Sequence, residues 1–280
     1  MRHPTAAPVP LSRRATAVDV DALPSRRHLE GHLISMLAAD SFEADQYRVL
    51  CHLVEQARAE KEQKVLAVTS ATVGDGKTTT SINLAAMMAQ SPSTRVLLVD
   101  TDLRRPLVAA NLGLEESGPG LAGALVDDRL ELGAVVRSTS FHLDVLPAGR
   151  SAANPYQVLD SPRVGELLDA ARATYDCVIL DTPPVLVVPD CRLMSQWVDG
   201  FLVVVAAHRT PEGLLAETLS ALDPDKTIGI VFNRDDRRVT ASYKRYYAAY
   251  HRGRSASDTG TGWWSRLWHG RSRRRPAPWR

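Results

Sequence analysis

With 280 residues, 44% apolar and 24% charged, the chain has ordinary globular composition, which excludes a collagen-like, mucin-like or wholly disordered protein. Thirty-four basic against 32 acidic residues sum to +2, so no global charge drives it toward nucleic acid, although residues 252–280 hold eight arginines and one acid. The three cysteines, Cys51, Cys177 and Cys191, form no CxxC pair and suggest neither a disulfide framework nor a zinc site; a reducing cytosol suits them.

Residues 1–40 carry Pro4, Pro8, Pro10 and Pro24 without a sustained period and read as a flexible arm. The opening PTAAPVPLSRR lacks the apolar stretch of a signal peptide, and no run approaches the ~18–20 apolar residues that cross a bilayer. From Ser41, SFEADQYRVLCHLVEQARAEKEQ predicts an amphipathic helix with Phe42, Tyr47, Leu50, Leu53, Val54 and Ala57 near one face. Beyond Lys64 come six short apolar runs: VLAVTS (65–70), RVLLVD (95–100), HLDVLP (142–147), DCVILD (176–181), GFLVVV (200–205) and TIGIVFN (227–233). They alternate with helix-like stretches such as 77–90, 160–174 and 211–222. Runs apolar on both faces, alternating with helices, predict a mostly parallel central sheet flanked by helices on both faces. The expected α/β domain spans 41–235, and 236–280 follow as a tyrosine-containing segment and a basic Trp/Arg-rich tail.

Three segments carry chemistry. ATVGDGKT (71–78) lies between a strand and a helix, although Ala71 stands where the pattern GxxxxGK[ST] has its first glycine. Gly74 and Gly76 let backbone N–H groups curl around phosphate oxygens, and the helix beginning near Lys77 adds the positive end of its dipole. Lys77 can reach β/γ-phosphates, and the Thr78 hydroxyl can ligate Mg²⁺. RVLLVDTDLRRP (95–106) ends a buried strand in Asp100 and Asp102, which alternation points to one side; helix capping is the competing use. CVILDTPP (177–184) ends another strand in Asp181, suited to the surroundings of Mg²⁺ beside a phosphate loop.

Together ATVGDGKT, VLLVDTDLRRP and VILDTPP resemble the Walker A, A-prime and B motifs of the bacterial tyrosine kinases (BY-kinases), P-loop kinases of capsule and exopolysaccharide assembly. The similarity continues through GLAGAL (120–125), LDVLPAGRSAANPYQVLDSPRVGELL (143–168) and GIVFNR (229–234), covering roughly residues 41–250. The DxDxR combination separates this family from other P-loop ATPases, and the signature lysine that partition-type ATPases would carry near Thr72 is not there.

The resemblance implies a P-loop NTPase fold, ATP and Mg²⁺ as cofactors, and protein-tyrosine autokinase activity. Gly74, Asp75, Gly76, Lys77, Thr78 and Thr79 would hold the phosphates and Asn233 the adenine; Thr78, Asp100 and Asp181 would surround the metal. Asp102 would activate the attacking hydroxyl, while Lys77 and Arg104 would support the transferring charge. Tyr243, Tyr246, Tyr247 and Tyr250 become the implied phosphoacceptors, though their spacing also suits a helical packing stripe. A separate membrane adaptor of the chain-length-determinant (polysaccharide co-polymerase) type is implied as partner, with the kinase in the cytoplasm at the inner membrane face. In the family's ExxRxxR self-association helix, the aligned Asp45, Arg48 and Cys51 retain only the arginine, which leaves ring assembly and its absence both open. The tail WWSRLWHGRSRRRPAPWR (263–280) sets tryptophans beside arginines and reads either as a peripheral contact with anionic membrane or as a solvated tail. No nucleic-acid partner is expected. A regulatory P-loop ATPase switch of the export machinery, without tyrosine phosphorylation, is the rival reading.

Overall fold

The computed structural model describes residues 29–115, 118–150 and 154–235. Residues 1–28, the four tyrosines at 243–250 and the tail at 263–280 lie outside them. In chain order the elements are α1 (Ile34–Leu37), α2 (Phe42–Glu60), β1 (Val65–Ser70), α3 (Lys77–Met88), β2 (Val96–Asp100), α4 (Val108–Asn111), α5 (Gly120–Val126) and α6 (Leu132–Val135). There follow β3 (Arg137–Ser138), β4 (Asp144–Leu146), α7 (Pro155–Leu159), α8 (Arg163–Thr174), β5 (Cys177–Asp181), α9 (Asp190–Met194), β6 (Gly200–Ala206), α10 (Glu212–Ala221) and β7 (Thr227–Asn233). The seven strands form one sheet in the order β3-β4-β2-β5-β1-β6-β7, and every pairing is parallel except the short β3 against β4.

The four central strands are buried along their whole length, and the pleat divides their side chains between two cores. Val65, Ala67, Leu97, Val99, Val178, Leu180, Phe201 and Val203 face one cluster, with contributions from α5 to α9. Leu66, Val68, Val96, Leu98, Cys177, Ile179, Leu202 and Val204 face the other, against α1 to α4. Period two then decides where the strand-end carboxylates fall. Asp100 continues the 96–98 series and Asp181 the 177–179 series, so both belong to the side covered by α3.

The local signals for α2 are plain. The Ser41 hydroxyl accepts from the Ala44 N–H, Glu43 and Asp45 occupy the first turn and Arg58 the last, each favourable to the helix dipole. One side chain departs from the expected pattern. Leu53 is 55% exposed beside exposed Val49, because the face of α2 that meets the domain is the one carrying Ala44 and Val54. Arg48 donates to the Asp45 carboxylate and to the Ala39 carbonyl, tying the start of α2 to the segment before it.

That segment corrects the boundary of the N-terminal arm. Residues 29–40 are packed on the domain: Leu33 is fully buried, and the Ser35 N–H donates to Asn83 Oδ1 of α3 at 2.8 Å. Its one short turn, ISML, is too brief to display a helical period, so its burial is decided by the surface it meets. The predicted strand at 142–147 shortens to Asp144–Leu146, and α4 to α7, each of seven residues or fewer, were below the reach of periodicity.

Candidate nucleotide and phosphoryl-transfer site

The site forms where β1, β5 and β2 end side by side, where an open parallel sheet places its ligands. After β1 the chain turns through Gly74 (φ +87°) and Gly76 (φ +98°), backbone conformations reserved for glycine, and enters α3. Gly76 opens α3 without any side-chain cap, so the first N–H groups of the helix face a cleft of about 430 Å³. Lys77, Thr78, Thr79, Gly74, Gly76, Asp102, Arg104, Arg105 and Arg234 line that cleft. Four of these side chains are basic and one is acidic, a balance suited to a polyanion.

The charged groups in it and buried beside it are tightly coupled. Lys77 Nζ lies 3.3 Å from Asp102 Oδ2, with the side chains only 11% and 6% exposed. Thr78 Oγ1 donates to Asp181 Oδ2 at 2.7 Å, and Ser81 Oγ to Asp181 Oδ1 at 3.1 Å. Asp100, opposite Asp181 in the β2–β5 register, accepts the backbone N–H groups of Asp102, Leu107 and Val108. Burial pushes the Asp100 carboxyl well above the usual carboxylate range, and the neighbouring Asp181 raises it further. Asp181 is pushed up to about 6, again chiefly by burial, while Lys77 and the hydroxyls of Thr78 and Ser81 pull the other way. Two buried carboxyls at adjacent strand ends, beside a threonine hydroxyl, form an all-oxygen donor set that fits Mg²⁺. No group of three or more His, Cys, Asp or Glu among the described residues is arranged to enclose a metal. Mg²⁺ takes one or two carboxylates and completes its shell with phosphate and water.

Three predicted residues are held differently from the rest. The Asp75 carboxylate accepts from the Thr72 N–H and from the hydroxyls of Thr72 and Thr210, so it braces the loop and leaves only its backbone toward a ligand. Asn233 lies over Gly76: its Nδ2 donates to the Asp75 carbonyl at 2.9 Å, and its Oδ1 accepts from the Arg234 N–H. Arg104 reaches the cleft while paired with Asp190. Asp190, Ser81 and Thr210 carried no assignment from the sequence. Ser81 sits one turn after Thr78 on α3, a spacing that places it beside Thr78. Asp190 and Thr210 are brought in from 86 and 135 residues away, a distance no local pattern spans.

The close approach at Gly76 gives a direct test. A β-carbon there would lie 1.8 Å from Asn233 Nδ2, on a backbone that L-residues avoid. Gly76→Ala is expected to lower stability by about 1–3 kcal/mol. Thermal denaturation reads that loss, and a fluorescent ATP analogue should bind at least ~10-fold more weakly as the loop shifts.

An AAA-domain family model matches residues 63–220. The tyrosine-protein kinase YwqD of Bacillus subtilis (strain 168) is 36% identical over 220 residues, covering 78% of this chain and 92% of YwqD. The succinoglycan biosynthesis transport protein ExoP of Rhizobium meliloti (strain 1021) is 30% identical over 257 residues, 85% of this chain but 30% of ExoP. Among solved structures, the kinase domain of the Escherichia coli tyrosine kinase ETK superposes with a TM-score of 0.70 at 30% identity, covering 79% of this chain and 86% of that one. Cobyrinic acid a,c-diamide synthase from Mycobacterium smegmatis, solved with an ATP analog and magnesium, superposes with a TM-score of 0.51 at 25% identity, covering 69% and 83%.

Proposed function

Because the chain belongs to the bacterial tyrosine-kinase family, we propose that it transfers the γ-phosphoryl group of ATP to protein tyrosine, Tyr243, Tyr246, Tyr247 and Tyr250 included, in control of capsular or exopolysaccharide synthesis. The observation that carries this reading is the convergence of Lys77, Thr78 and Asp102 on one basic cleft, with Asp181 hydrogen-bonded to the Thr78 hydroxyl. Gly74, Gly76, Thr79 and the first turn of α3 hold the phosphates through backbone N–H groups. Thr78, Asp100 and Asp181 would hold Mg²⁺, which would neutralise charge on the phosphate oxygens.

The pairing of Lys77 with Asp102 sets the order of events. Phosphate oxygens draw the Lys77 ammonium away from Asp102, which frees a carboxylate oxygen to accept a proton. A tyrosine hydroxyl, with its ordinary pKa of ~10, then gives that proton to Asp102 as its oxygen bonds to the γ-phosphorus. The bond between that phosphorus and the β,γ-bridging oxygen breaks, and ADP leaves with the electron pair. Arg104 supports the charge on the transferring group.

The relatives support a wider setting. ExoP is named for polysaccharide biosynthesis and transport, and the chain corresponds to less than a third of it. No helix among the described residues is long and apolar enough to cross a membrane. The reading includes a membrane co-polymerase adaptor, supplied as a separate chain, that recruits the kinase to the inner face of the cell membrane.

Incubation of the purified chain with Mg-ATP, followed by detection of phosphotyrosine, tests the activity. A variant with Tyr243, Tyr246, Tyr247 and Tyr250 all changed to Phe should still hydrolyse ATP, while its self-labelling falls at least ~10-fold because the acceptor hydroxyls are gone. Wild-type protein that hydrolyses ATP and never labels tyrosine would instead establish the ATPase switch.

A further inference from the structure

Asp190 opens α9 with a side chain that is 0% exposed, and among the described residues its one ion pair runs to Arg104, 86 residues earlier. Arg104 Nε donates to Asp190 Oδ2 at 2.8 Å and Nη2 to Oδ1 at 3.1 Å. We propose that Asp190 is the positioning residue for Arg104 in phosphoryl transfer, an inference that rests on the kinase reading above. A guanidinium carries five N–H donors in a rigid plane, and this side-on grip takes the Nε–H and one Nη2–H. Three donors remain, both on Nη1 and the outer one on Nη2, along the edge turned away from Asp190. Arg104 is 38% exposed and lines the cleft with Lys77 and Asp102, and the donors that Asp190 leaves free remain for a ligand.

The placement of Asp190 makes the grip rigid. It follows Pro183–Pro189, a loop whose Pro183, Pro184, Val187 and Val188 also line the cleft. That loop is fastened to β1, since the Thr182 and Val185 N–H groups donate to the Val68 and Ser70 carbonyls. A flexible arginine is thereby fixed before substrate arrives, and its charge is available without the ordering loss a free side chain would suffer. A lysine at 104 would keep the charge but not the two-point grip.

The test is steady-state kinetics of the full chain with Mg-ATP, following tyrosine labelling and ATP hydrolysis separately. Asp190→Asn is expected to lower kcat roughly 10- to 100-fold, the range associated with a misplaced catalytic group, with KM for ATP changed less than ~3-fold. Combined with Arg104→Lys, it should cost little beyond Arg104→Lys alone, since both variants act through one guanidinium. A wild-type kcat in Asp190→Asn, or losses that multiply independently in the double variant, would overturn the proposal. Should Asp190→Asn fail to fold, Arg104→Lys is read by itself, with a kcat loss of at least ~10-fold expected and full kcat fatal to the idea. If wild type hydrolyses ATP without labelling tyrosine, the kinase reading fails, and the hydrolysis kcat of the same variants still decides the role of Asp190.

Discussion

Lys77→Met should reduce both tyrosine labelling and ATP hydrolysis at least ~10²-fold, the loss typical of removing a transition-state donor. The substitution keeps the length and apolar stem of the side chain and deletes only the charge. That charge has two tasks in this cleft: it pairs with Asp102 at 3.3 Å, and it pulls the Asp181 carboxyl down against the effect of burial. With the ammonium gone, Asp181 rises further and is more fully protonated near neutral pH, which weakens its hold on a cation as well as the grip on phosphate. The fold should survive, because Asp102 still accepts the Arg105 N–H at 3.0 Å and the stem remains packed. Circular dichroism and a melting curve close to wild type, together with phosphotyrosine and released-phosphate assays, separate the chemical loss from unfolding. More than a tenth of wild-type turnover in the folded variant would contradict the assigned role of Lys77.

Asp181→Asn should abolish Mg²⁺-dependent labelling and at the same time stabilise the metal-free, nucleotide-free protein. A carboxyl whose folded value is about 6 against an ordinary 3.8 is penalised when ionised. Below pH ~3.8 the group is protonated in both states and adds no penalty; as pH climbs from there to ~6 the unfolded chain ionises first, and stability falls. Above that window the penalty is constant, on the order of 3 kcal/mol by this shift alone. Asp100, raised in the same direction, adds to the slope. Asparagine removes the charge, keeps an oxygen for one of the two hydroxyls of Thr78 and Ser81, and relieves Asp100 of its neighbour. Thermal unfolding in chelator at pH 5 and pH 8 reads the effect. The variant should melt a few degrees above wild type at pH 8, where one kcal/mol corresponds to roughly 2–4 °C in a domain of this size, and the gap should narrow at pH 5. Mg²⁺ with nucleotide should raise the melting point of wild type and leave the variant nearly unmoved. A variant less stable than wild type at pH 8 would show that the two carboxyls are not in conflict. The physical meaning is a site built for a charge it must borrow, stability given up locally for a place to hold a cation.

Much of this was legible before any coordinates. The near-continuous apolar character of VLAVTS, RVLLVD and DCVILD is a local property, and it was enough to place the strands and their double-sided burial. Gly74 and Gly76 were readable for the same reason, since a positive φ is demanded by the turn itself and only glycine adopts it freely. The order of the strands was not. That β5 lies between β1 and β2, setting Asp181 between the phosphate loop and Asp100, depends on which hydrophobic strand pairs with which, and apolar runs of similar length are interchangeable on paper.

What the amino-acid sequence determined by itself was therefore the chemistry available and the ends of the strands that present it. Which partner each group takes was decided in three dimensions: Arg104 by Asp190, Asp75 by Thr210, Gly76 by Asn233, and the segment at 29–40 by the surface of α3. Periodicity and backbone preference act over a few residues and leave their mark in the sequence. Hydrogen bonds and ion pairs between residues 48 to 158 positions apart form only once the sheet has closed the intervening chain, and so they leave no local trace.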